Sequence, residues 1–460
     1  MTAPVFHTVM DAIGNTPMHE VTRIDTGKCR LFLKLENQNP GGSIKDRIGK
    51  TMIEAAEKSG DLKPGGTIIE ATAGNTGLGL ALTAAQKGYK LIIVLPDKMA
   101  QEKIFHLRAL GAAVLLTRSD VGKGHPEYYQ DMAERLAEEN GYFYVNQFGN
   151  DANPFAHETT TGPEITAQLD GLDLSVDAMV CGVGSAGTIT GLANYFKTAS
   201  PDADMVLADP QGSILTHYIK TGQVSNEVGS WQVEGIGEDF LPPISDFTRV
   251  KHAYTIPDKL AFETARELLL KEGILAGSSS GTLIAAALQY CREQTEEKNV
   301  VTFVCDSGNK YLSKMYNDFW MLDNGHIERS KQGDLRDLVT RKFAEQQIVT
   351  MPETESLSAA YGKMKLYDIS QLPVMEDDRV IGLVDEEDLL IHVFKNKGSF
   401  DGSIADIMTT DPITIDAGEP IERLMQVFKG GMTALITHEG KFEGLVTKID
   451  LLNHLQLNQR

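Results

Sequence analysis

Residues 179–191, MVCGVGSAGTITG, contain the glycine pattern that decides how this part of the chain folds. Gly182, Gly184 and Gly187 form Gly-x-Gly-x-x-Gly between a Val-containing strand pattern and a helical pattern. Glycines at such a junction let backbone amides approach a phosphate at the helix N-terminus. Asp209 ends the next predicted strand, about 20 residues later, where a dinucleotide fingerprint has its acidic residue. The local pattern therefore favours an NAD-binding enzyme.

The composition bounds the class of protein. The chain has 460 residues and a formal net charge of −21. Because such a charge repels phosphate backbones and anionic lipids, we expect neither nucleic acid nor a membrane as a partner. The four cysteines are scattered without a Cys-x-x-Cys pair, which argues against a disulfide framework and a zinc site. We therefore expect a cytoplasmic protein without a metal centre, and the N-terminal residues have no signal-peptide pattern.

Short apolar runs alternate with helical patterns up to about residue 322. Most of these runs are continuous in Val, Ile and Leu, as in strands buried on both faces of a parallel sheet. The strand candidates are RLFLKLEN (30–37), GGTIIEATA (65–73), KLIIVLPD (90–97), AVLLTR (113–118), DAMVCGVG (177–184), DMVLADP (204–210) and NVVTFVCDSG (299–308). The pattern predicts an α/β fold with an open parallel sheet, and the length allows two lobes.

An internal repeat follows. ISQLPVMEDDRVIGLVDEEDLLIHV (369–393) and MTALITHEGKFEGLVTKIDLLNHL (432–455) align on their GLV triplets, and each copy reads helix, strand, turn, strand, helix. Units of about 60 residues are small, so we expect the two to bury their apolar faces against each other. The predicted boundaries are 1–325 for the first domain, 326–340 for a polar linker, and 341–460 for the tandem repeats, at about 341–397 and 398–460.

NPGGSIKDR, at residues 39–47, carries a lysine in an unusual place. Ser43 can cap the helix that follows, which puts Lys45 in its first turn. The helix dipole and partial burial both lower the pKa of an amine there. Such an amine is a nucleophile that can form a Schiff base with an aldehyde. For a lone lysine, a solvated helix is the simpler interpretation, so the motif needs support from others.

Three strand-loop-helix junctions supply that support. ATAGNTGLGLAL (71–82) offers backbone N–H groups and the Asn75 amide to an anionic ligand. GVGSAGT adds the hydroxyls of Ser185 and Thr188 to its glycines, which suits a single terminal phosphate. LAGSSSG (275–281) brings Ser279 to a helix start, where its hydroxyl can bond a ring nitrogen.

Together and in this order, the motifs resemble those of the β-family (fold type II) of pyridoxal-phosphate enzymes, and within it the cystathionine β-synthases and cysteine synthases. The resemblance covers nearly all of residues 5–322 and extends to NTP (15–17), NQF (146–148), EGIGEDFLP (234–242) and DSGNKYLSK (306–314). It implies a two-lobed, open parallel-sheet domain similar to the tryptophan synthase β chain. It also implies that Lys45 carries pyridoxal 5'-phosphate as an internal aldimine.

The same resemblance assigns the other site residues. Asn75 is expected to hydrogen-bond the ring oxygen of the cofactor, and Ser279 its pyridine nitrogen. The expected phosphate site consists of Gly184, Ser185, Ala186, Gly187 and Thr188. The expected site for the substrate carboxylate consists of Thr72, Ala73, Gly74, Thr76 and Gln147.

The resemblance implies a β-replacement, in which the freed Lys45 removes the Cα proton of an amino acid, the β-substituent leaves, and a thiolate adds. Serine or an activated serine would condense with homocysteine to give cystathionine, with release of hydrogen sulfide from cysteine or homocysteine as a further activity. The alternative is a cysteine synthase that uses O-acetylserine and sulfide. The C-terminal repeat, EGIGEDFLP and NPFAHETTTGPEI (153–165) favour the first. Ala73, Phe148, Glu158 and Glu238 depart from the animal pattern and leave the substrate open.

The C-terminal repeat resembles a pair of CBS domains, or Bateman module. In that family a Gly-x-x-Thr/Ser-x-x-Asp stretch can hold an adenosyl ribose. The second copy has Thr447 and Asp450, whereas the first has Asp385 in place of the hydroxyl. Two interpretations stay open: one site for an adenosyl ligand (S-adenosylmethionine or an adenine nucleotide), or a packing module without a ligand. The family implies a homodimer or a higher homo-oligomer.

Two functions of other classes also stay open. An NAD-dependent oxidoreductase leaves GGSIKDR, TAGNTG and GSSSG unexplained, and a nucleotide-sensing protein with an inactive first domain leaves Lys45 unexplained. Animal enzymes of the family carry an N-terminal haem segment with Cys and His ligands. Here His7 is the only histidine before the motifs and no cysteine precedes Cys29, so we expect no haem.

Overall fold

The computed structural model describes residues 5–72, 74–97, 99, 101–122, 124–328, 331–430 and 433–457. Ala73, one of the predicted substrate residues, lies outside the described residues. The chain divides into two compact units, Met1–Tyr316 and Asn317–Arg460. Within the described ranges, none of the helices combines the length and apolar character needed to cross a membrane.

The first unit is an α/β fold. Its strands are β1 (Met18–Glu20), β2 (Arg30–Lys34), β3 (Thr67–Ala71), β4 (Lys90–Pro96), β5 (Ala113–Thr117), β6 (Phe143–Tyr144), β7 (Ala178–Gly182), β8 (Asp204–Pro210), β9 (Val250–Ile256) and β10 (Asn299–Phe303). Its α-helices are α1 (Lys45–Ser59), α2 (Asn75–Lys87), α3 (Gln101–Ala109), α4 (Tyr129–Asn140), α5 (Ala152–Ala156), α6 (Gly162–Asp170), α7 (Gly187–Ala199), α8 (Leu215–Thr221), α9 (Asp258–Glu272) and α10 (Ser278–Glu293).

These strands form two sheets, in the orders β1-β2-β10-β7-β8-β9 and β5-β4-β3-β6. All described pairings are parallel except that of β1 with β2. The expected α/β class with open parallel sheets is thus confirmed. The strands β1, β6 and β9 were not predicted. The first two are short, and β9 is an edge strand of mixed polarity, VKHAYTI, without a continuous apolar run.

The helices α1 and α2 pack through glycines. A Cβ atom added to Gly49 would lie 2.5 Å from the carbonyl carbon of Gly79, and one added to Gly79 would lie 2.5 Å from the Lys45 carbonyl oxygen. Both positions therefore require glycine for the two helices to approach. The contact places the first turn of α1, with Lys45, directly against α2, whose first residue is Asn75.

The second unit contains the two repeats. Its elements are α11 (Asp318–Asp323), β11 (Met351–Pro352), α12 (Leu357–Tyr367), β12 (Gln371–Glu376), β13 (Arg379–Asp385), α13 (Glu386–Lys395), β14 (Thr414–Asp416), α14 (Ile421–Lys429), β15 (Ala434–His438), β16 (Lys441–Val446) and α15 (Lys448–Leu457). The sheets are β11-β12-β13 and β14-β15-β16, each with one antiparallel hairpin. The expected order of helix, strand, strand, helix is confirmed in both copies.

The core of each repeat also contains residues from outside that repeat. Leu335 and Leu338, which fall in the stretch predicted to be a linker, are buried in the core of the second repeat beside Ile415 and Leu424. Ile404, which lies at the start of the second repeat, is buried in the core of the first. This exchange explains how two small units bury enough apolar surface.

Candidate active site

Loops that follow parallel strands come together in the first unit. The segment before α1 pairs with the segment after β10, because Ser43 forms a β-bridge with Asp306 and the Ile44 N–H donates to the Cys305 carbonyl over 2.8 Å. Ala276 forms a second bridge with Ser307. The carboxyl ends of parallel strands are where open α/β sheets bind ligands.

Lys45 is the first residue of α1, and its backbone N–H donates to Ser43 Oγ over 3.2 Å. The side chain is half-buried. Burial lowers the pKa of the Lys45 amine, and the nearby Cys305 and Asp306 only partly oppose this effect. The direction agrees with the expectation from the sequence, and a deprotonated amine is the form that acts as nucleophile or base.

The predicted phosphate loop lies between β7 and α7. Ala186 adopts φ +69°, a left-handed conformation that L-residues seldom adopt. A Cβ atom at Gly184 would lie 2.8 Å from the Gly235 carbonyl oxygen, so the loop is tightly enclosed. The first N–H groups of α7 have no acceptor within the helix, and together with the Ser185 and Thr188 hydroxyls they can bind a phosphate.

Two residues that were not among the predicted site residues hold this loop. Asn153 Nδ2 donates to Ser185 Oγ over 2.9 Å and to the Gln147 carbonyl oxygen over 2.8 Å. His157 is fully buried, and its Nε2 lies 3.2 Å from Thr188 Oγ1. Burial, reinforced by the charge of Lys45, holds the pKa of His157 well below its usual range, so the imidazole is neutral. Both lie within NPFAHETTTGPEI, whose position beside α7 only the tertiary structure shows.

Four of the predicted substrate residues form two hydrogen-bonded pairs. Thr76 Oγ1 donates to Gln147 Oε1 over 2.7 Å, and the Gly74 N–H donates to Thr72 Oγ1 over 3.4 Å. Because Oε1 of Gln147 is taken by Thr76, the Nε2 group is the part of this amide that can bind an anion. The structure thus brings Thr76 and Gln147 together from positions 71 residues apart.

Glu70 anchors this group from beneath. It is fully buried in β3, and its carboxyl oxygens accept from the N–H of Asn146 over 2.7 Å and of Gln147 over 3.3 Å. Asn146 has φ +52°, so the backbone enters Gln147 through a left-handed residue. Glu70 therefore fixes the backbone from which the Gln147 side chain extends.

We expect Glu70→Gln to change how stability depends on pH. Burial raises the pKa of Glu70 to about 8 from an ordinary value of 4.5, so the folded chain keeps a proton that the unfolded chain releases. This contribution is complete below about pH 4.5 and is lost as the pH rises through about 8. Urea unfolding should show the variant gaining on the parent by at least about 1.4 kcal/mol between about pH 5 and 8, equivalent to one pKa unit.

The matched control is Glu138→Gln, at an exposed carboxylate of α4. Its difference in unfolding free energy from the parent should stay flat over the same pH range. If the Glu70→Gln difference were equally flat, the proton would not be held by Glu70 in the folded chain.

The three serines at the start of α10 have different surroundings. Ser278 Oγ accepts from the Glu234 N–H over 3.0 Å, and Ser280 Oγ accepts from the Cys305 N–H over 2.9 Å. These two hydroxyls hold neighbouring loops in place. Ser279 is buried and lies beside the Cys305 thiol, whose pKa burial raises to about 12. Ser279 stays the serine predicted to contact a ring nitrogen.

Asp209, which fits the dinucleotide fingerprint, has another role. Its side chain is 1% exposed, and Oδ2 accepts from the Thr216 N–H over 2.8 Å. A carboxylate that accepts in the first turn of α8 is a helix-capping group. Because it is buried and engaged there, Asp209 is not placed to bind a ribose, and the NAD interpretation loses its acidic residue.

The predicted adenosyl residues lie at the start of α15 in the second unit. The Thr447 N–H and hydroxyl donate to Asp450 Oδ2 over 2.7 and 2.5 Å, and Thr340 Oγ1 donates to Oδ1 over 3.1 Å. Asp385 and Asp388 form the equivalent cap of α13 through reciprocal backbone bonds. Both pairs therefore serve as N-terminal caps, and a ribose at Asp450 would compete with Thr340.

The residues of the first unit fit pyridoxal phosphate. The loop before α7 offers N–H and hydroxyl donors for one phosphate. A side chain at Gly187 would clash with its neighbours, because a Cβ atom there would lie 1.9 Å from Asn153 Oδ1. Lys45 supplies an amine of lowered pKa. Asn75 supplies an amide and Ser279 a neutral hydroxyl.

Comparison with known proteins agrees with this donor set. Residues 9–306 match the family described as pyridoxal-phosphate dependent enzyme, and residues 335–395 and 404–457 match the CBS domain. The chain is 35% identical over 471 residues to a cystathionine β-synthase of Dictyostelium discoideum, covering 99% of this chain and 93% of that protein.

Two solved structures are similar to the first unit. A hydrogen sulfide-producing enzyme of Fusobacterium nucleatum is 38% identical, with a TM-score of 0.62, covering 67% of this chain and 100% of that one. An O-acetylserine-dependent cystathionine β-synthase of Helicobacter pylori is 37% identical, with a TM-score of 0.62, covering 68% and 99%. The chain belongs to the pyridoxal-phosphate-dependent enzymes and, within them, to the cystathionine β-synthase family with a C-terminal pair of CBS domains.

Proposed function

We propose that this enzyme condenses L-serine, or an activated serine, with L-homocysteine to give L-cystathionine by β-replacement. The observations that support the proposal are that Asn153 joins Ser185 of the phosphate loop to Gln147, the partner of Thr76, and that Lys45 begins a helix packed against α2. That site lies in a chain that matches cystathionine β-synthases over almost its whole length. Release of hydrogen sulfide from cysteine or homocysteine is proposed as a further activity of the same site.

Pyridoxal phosphate, when bound, supplies an electron sink for the charge left at Cα. Lys45 Nζ would hold the cofactor and then take the Cα proton, since its lowered pKa keeps a larger fraction of the amine deprotonated. The loop 184–188 would hold the phosphate, and Gln147 Nε2 the substrate carboxylate. Ser279, being neutral, would leave the ring nitrogen without a fixed charge and favour loss of the β-substituent over transamination.

An O-acetylserine-dependent cysteine synthase is the second candidate, and the similarity to the Helicobacter pylori enzyme favours O-acetylserine as the first substrate. Steady-state rates with serine and O-acetylserine, each with homocysteine and with sulfide, separate the possibilities. The proposal expects kcat/KM to be highest for a pair that contains homocysteine. A preference for O-acetylserine with sulfide would make the protein a cysteine synthase.

Gly187→Ala is expected to raise the dissociation constant for pyridoxal phosphate at least about tenfold, which corresponds to about 1.4 kcal/mol. The added Cβ atom would lie 1.9 Å from Asn153 Oδ1, so Asn153 must move and lose its bonds to Ser185 and Gln147. Absorbance titration of the apoenzyme with the cofactor measures the effect.

The matched control is Gly122→Ala in the same unit, where nothing lies within 4 Å of the added Cβ atom. Cofactor affinity should be unchanged there. Similar losses in both variants would mean that the effect does not arise from the phosphate loop.

We propose that the catalytic domain spans residues 1–325 and the Bateman module residues 341–460, and that the stretch 326–340 between them adds Leu335 and Leu338 to the core of the module. The protein is proposed to be a cytoplasmic homodimer or higher homo-oligomer without haem. An adenosyl ligand at Thr447 and Asp450 is one proposal for the module. Calorimetric titration with S-adenosylmethionine and with an adenine nucleotide, on the parent and on Asp450→Ala, tests it. Absence of binding would leave the module a packing element, and binding unchanged in the variant would place the ligand away from Asp450.

A further inference from the structure

A hydrogen-bond network surrounds the Asn75 side chain at the start of α2. Lys310 Nζ donates to Asn75 Oδ1 over 2.8 Å, and Asn75 Nδ2 donates to Asp306 Oδ2 over 2.8 Å. Tyr311 Oη also donates to Asp306 Oδ2, over 2.8 Å. Asp306 is fully buried and Lys310 is 8% exposed, so bulk water does not substitute for these partners.

The chemistry of the partners decides which way the amide faces. An ammonium has only donors and a carboxylate only acceptors, so Oδ1 must face Lys310 and Nδ2 must face Asp306. The other two partners of Lys310 Nζ are the carbonyl oxygens of Gly41 and Gly42, at 3.5 and 3.2 Å. A nitrogen surrounded by three acceptors acts as a donor to all of them.

The surrounding glycines make room for this network. A Cβ atom at Gly277, which precedes the three serines, would lie 1.9 Å from Asp306 Oδ1. Gly42 has φ +77°, a backbone conformation that favours glycine and that fixes the carbonyls facing Lys310. Four motifs that are distant in the sequence, NPGGSIK, TAGNTG, GSSSG and DSGNKY, therefore meet at one amide.

We propose that Lys310 and Asp306 are positioning residues that fix the polarity of the Asn75 amide, so that it presents one N–H donor and no acceptor to the cofactor. The second hydrogen of Nδ2 is the group that remains for a ligand. Such a donor stabilises an ionised ring oxygen over a protonated one. The inference rests on the proposed binding of pyridoxal phosphate at this site and deepens it, because it names two residues to which the sequence assigned no role.

Lys310→Met removes the donor that holds Asn75 Oδ1 and permits the Asn75 amide to flip, so that Oδ1 and Nδ2 exchange places. In the reconstituted enzyme we expect the absorption of bound cofactor to shift from the violet band of the ionised ring oxygen towards the near-ultraviolet form. We also expect cofactor affinity to fall about tenfold, the effect of one hydrogen bond to a charged group. Lys310→Arg keeps a donor at this place and should restore most of both properties.

A double-mutant cycle separates positioning from a direct role. Since Lys310 is proposed to act only through Asn75, Lys310→Met should change neither the spectrum nor the affinity further in an Asn75→Ala background. Equal changes in both backgrounds would overturn the proposal, as would an unchanged spectrum in the single variant.

Circular dichroism of each variant checks that the fold is intact, and the arginine variant serves where methionine unfolds the chain. Failure of the inference is distinguishable from failure of the proposed function. If the parent protein takes up no pyridoxal phosphate, both are wrong. If the parent takes it up with a violet band and Lys310→Met and Lys310→Arg behave like the parent, only the positioning role is wrong.

Discussion

Lys45→Ala is expected to lower kcat/KM for β-replacement by about 10³-fold or more, within the range observed when a general acid-base group is lost. Lys45 is the first residue of α1, and burial lowers the pKa of its amine. Its backbone N–H donates to Ser43 Oγ, and its carbonyl oxygen packs against Gly79 of α2. The violet absorption of the bound cofactor should disappear with it. Steady-state kinetics and an absorption spectrum of the purified variant measure both effects.

Lys58→Ala is the control, because this lysine lies exposed in the last turn of the same helix. It should keep the parental rate and spectrum. A colourless parent protein that takes up NAD would contradict the assignment of Lys45, and so would a Lys45→Ala variant that retains the violet band.

Arg47→Met is expected to lower the free energy of unfolding by about 3–5 kcal/mol, the usual cost of removing one partner from a buried ion pair. The guanidinium donates to both oxygens of Glu36, over 2.7 and 2.8 Å, and to both oxygens of Glu164, over 2.7 Å each. Glu36 is fully buried, so without Arg47 its charge would be poorly compensated. The midpoint of urea unfolding measures the loss.

The exposed pair of Arg30 and Glu20 offers the control, since Arg30→Met removes a similar bidentate contact from a surface that water reaches. It should leave the unfolding midpoint nearly unchanged. If the two variants lost equal stability, burial of the Arg47 network would not be the cause.

The same network predicts how the first unit loses stability at acidic pH. Burial alone would raise the pKa of Glu164, but the hydrogen bonds from Arg47 and Lys34 outweigh it and hold this pKa at about 2. A depressed carboxyl pKa contributes stability above the unfolded value of about 4.5, and this contribution is lost as the pH falls towards 2. The free energy of unfolding should therefore fall less steeply below about pH 4.5 in Arg47→Met than in the parent.

The strands that carry the site could be predicted from the sequence because they are buried on both faces. Continuous Val, Ile and Leu runs gave β2, β3, β4, β7, β8 and β10, since a strand in the middle of a parallel sheet has no solvent-facing side to keep polar. The edge strand β9 has such a side, and its polarity concealed it. A lysine in the first turn of a helix opposes the dipole, but Lys45 was singled out only together with the other motifs.

The sequence by itself determined the α/β class, the repeat, the four motifs and the choice of one lysine, because each depends on local periodicity or on residues adjacent in the chain. Only the tertiary structure decided that Asp209 caps a helix, that Asn153 joins Ser185 to Gln147, and that Lys310 and Asp306 orient Asn75. These partners lie up to 235 residues apart. A hydrogen bond requires atoms within about 3 Å, and only packing of the whole unit brings such distant residues that close.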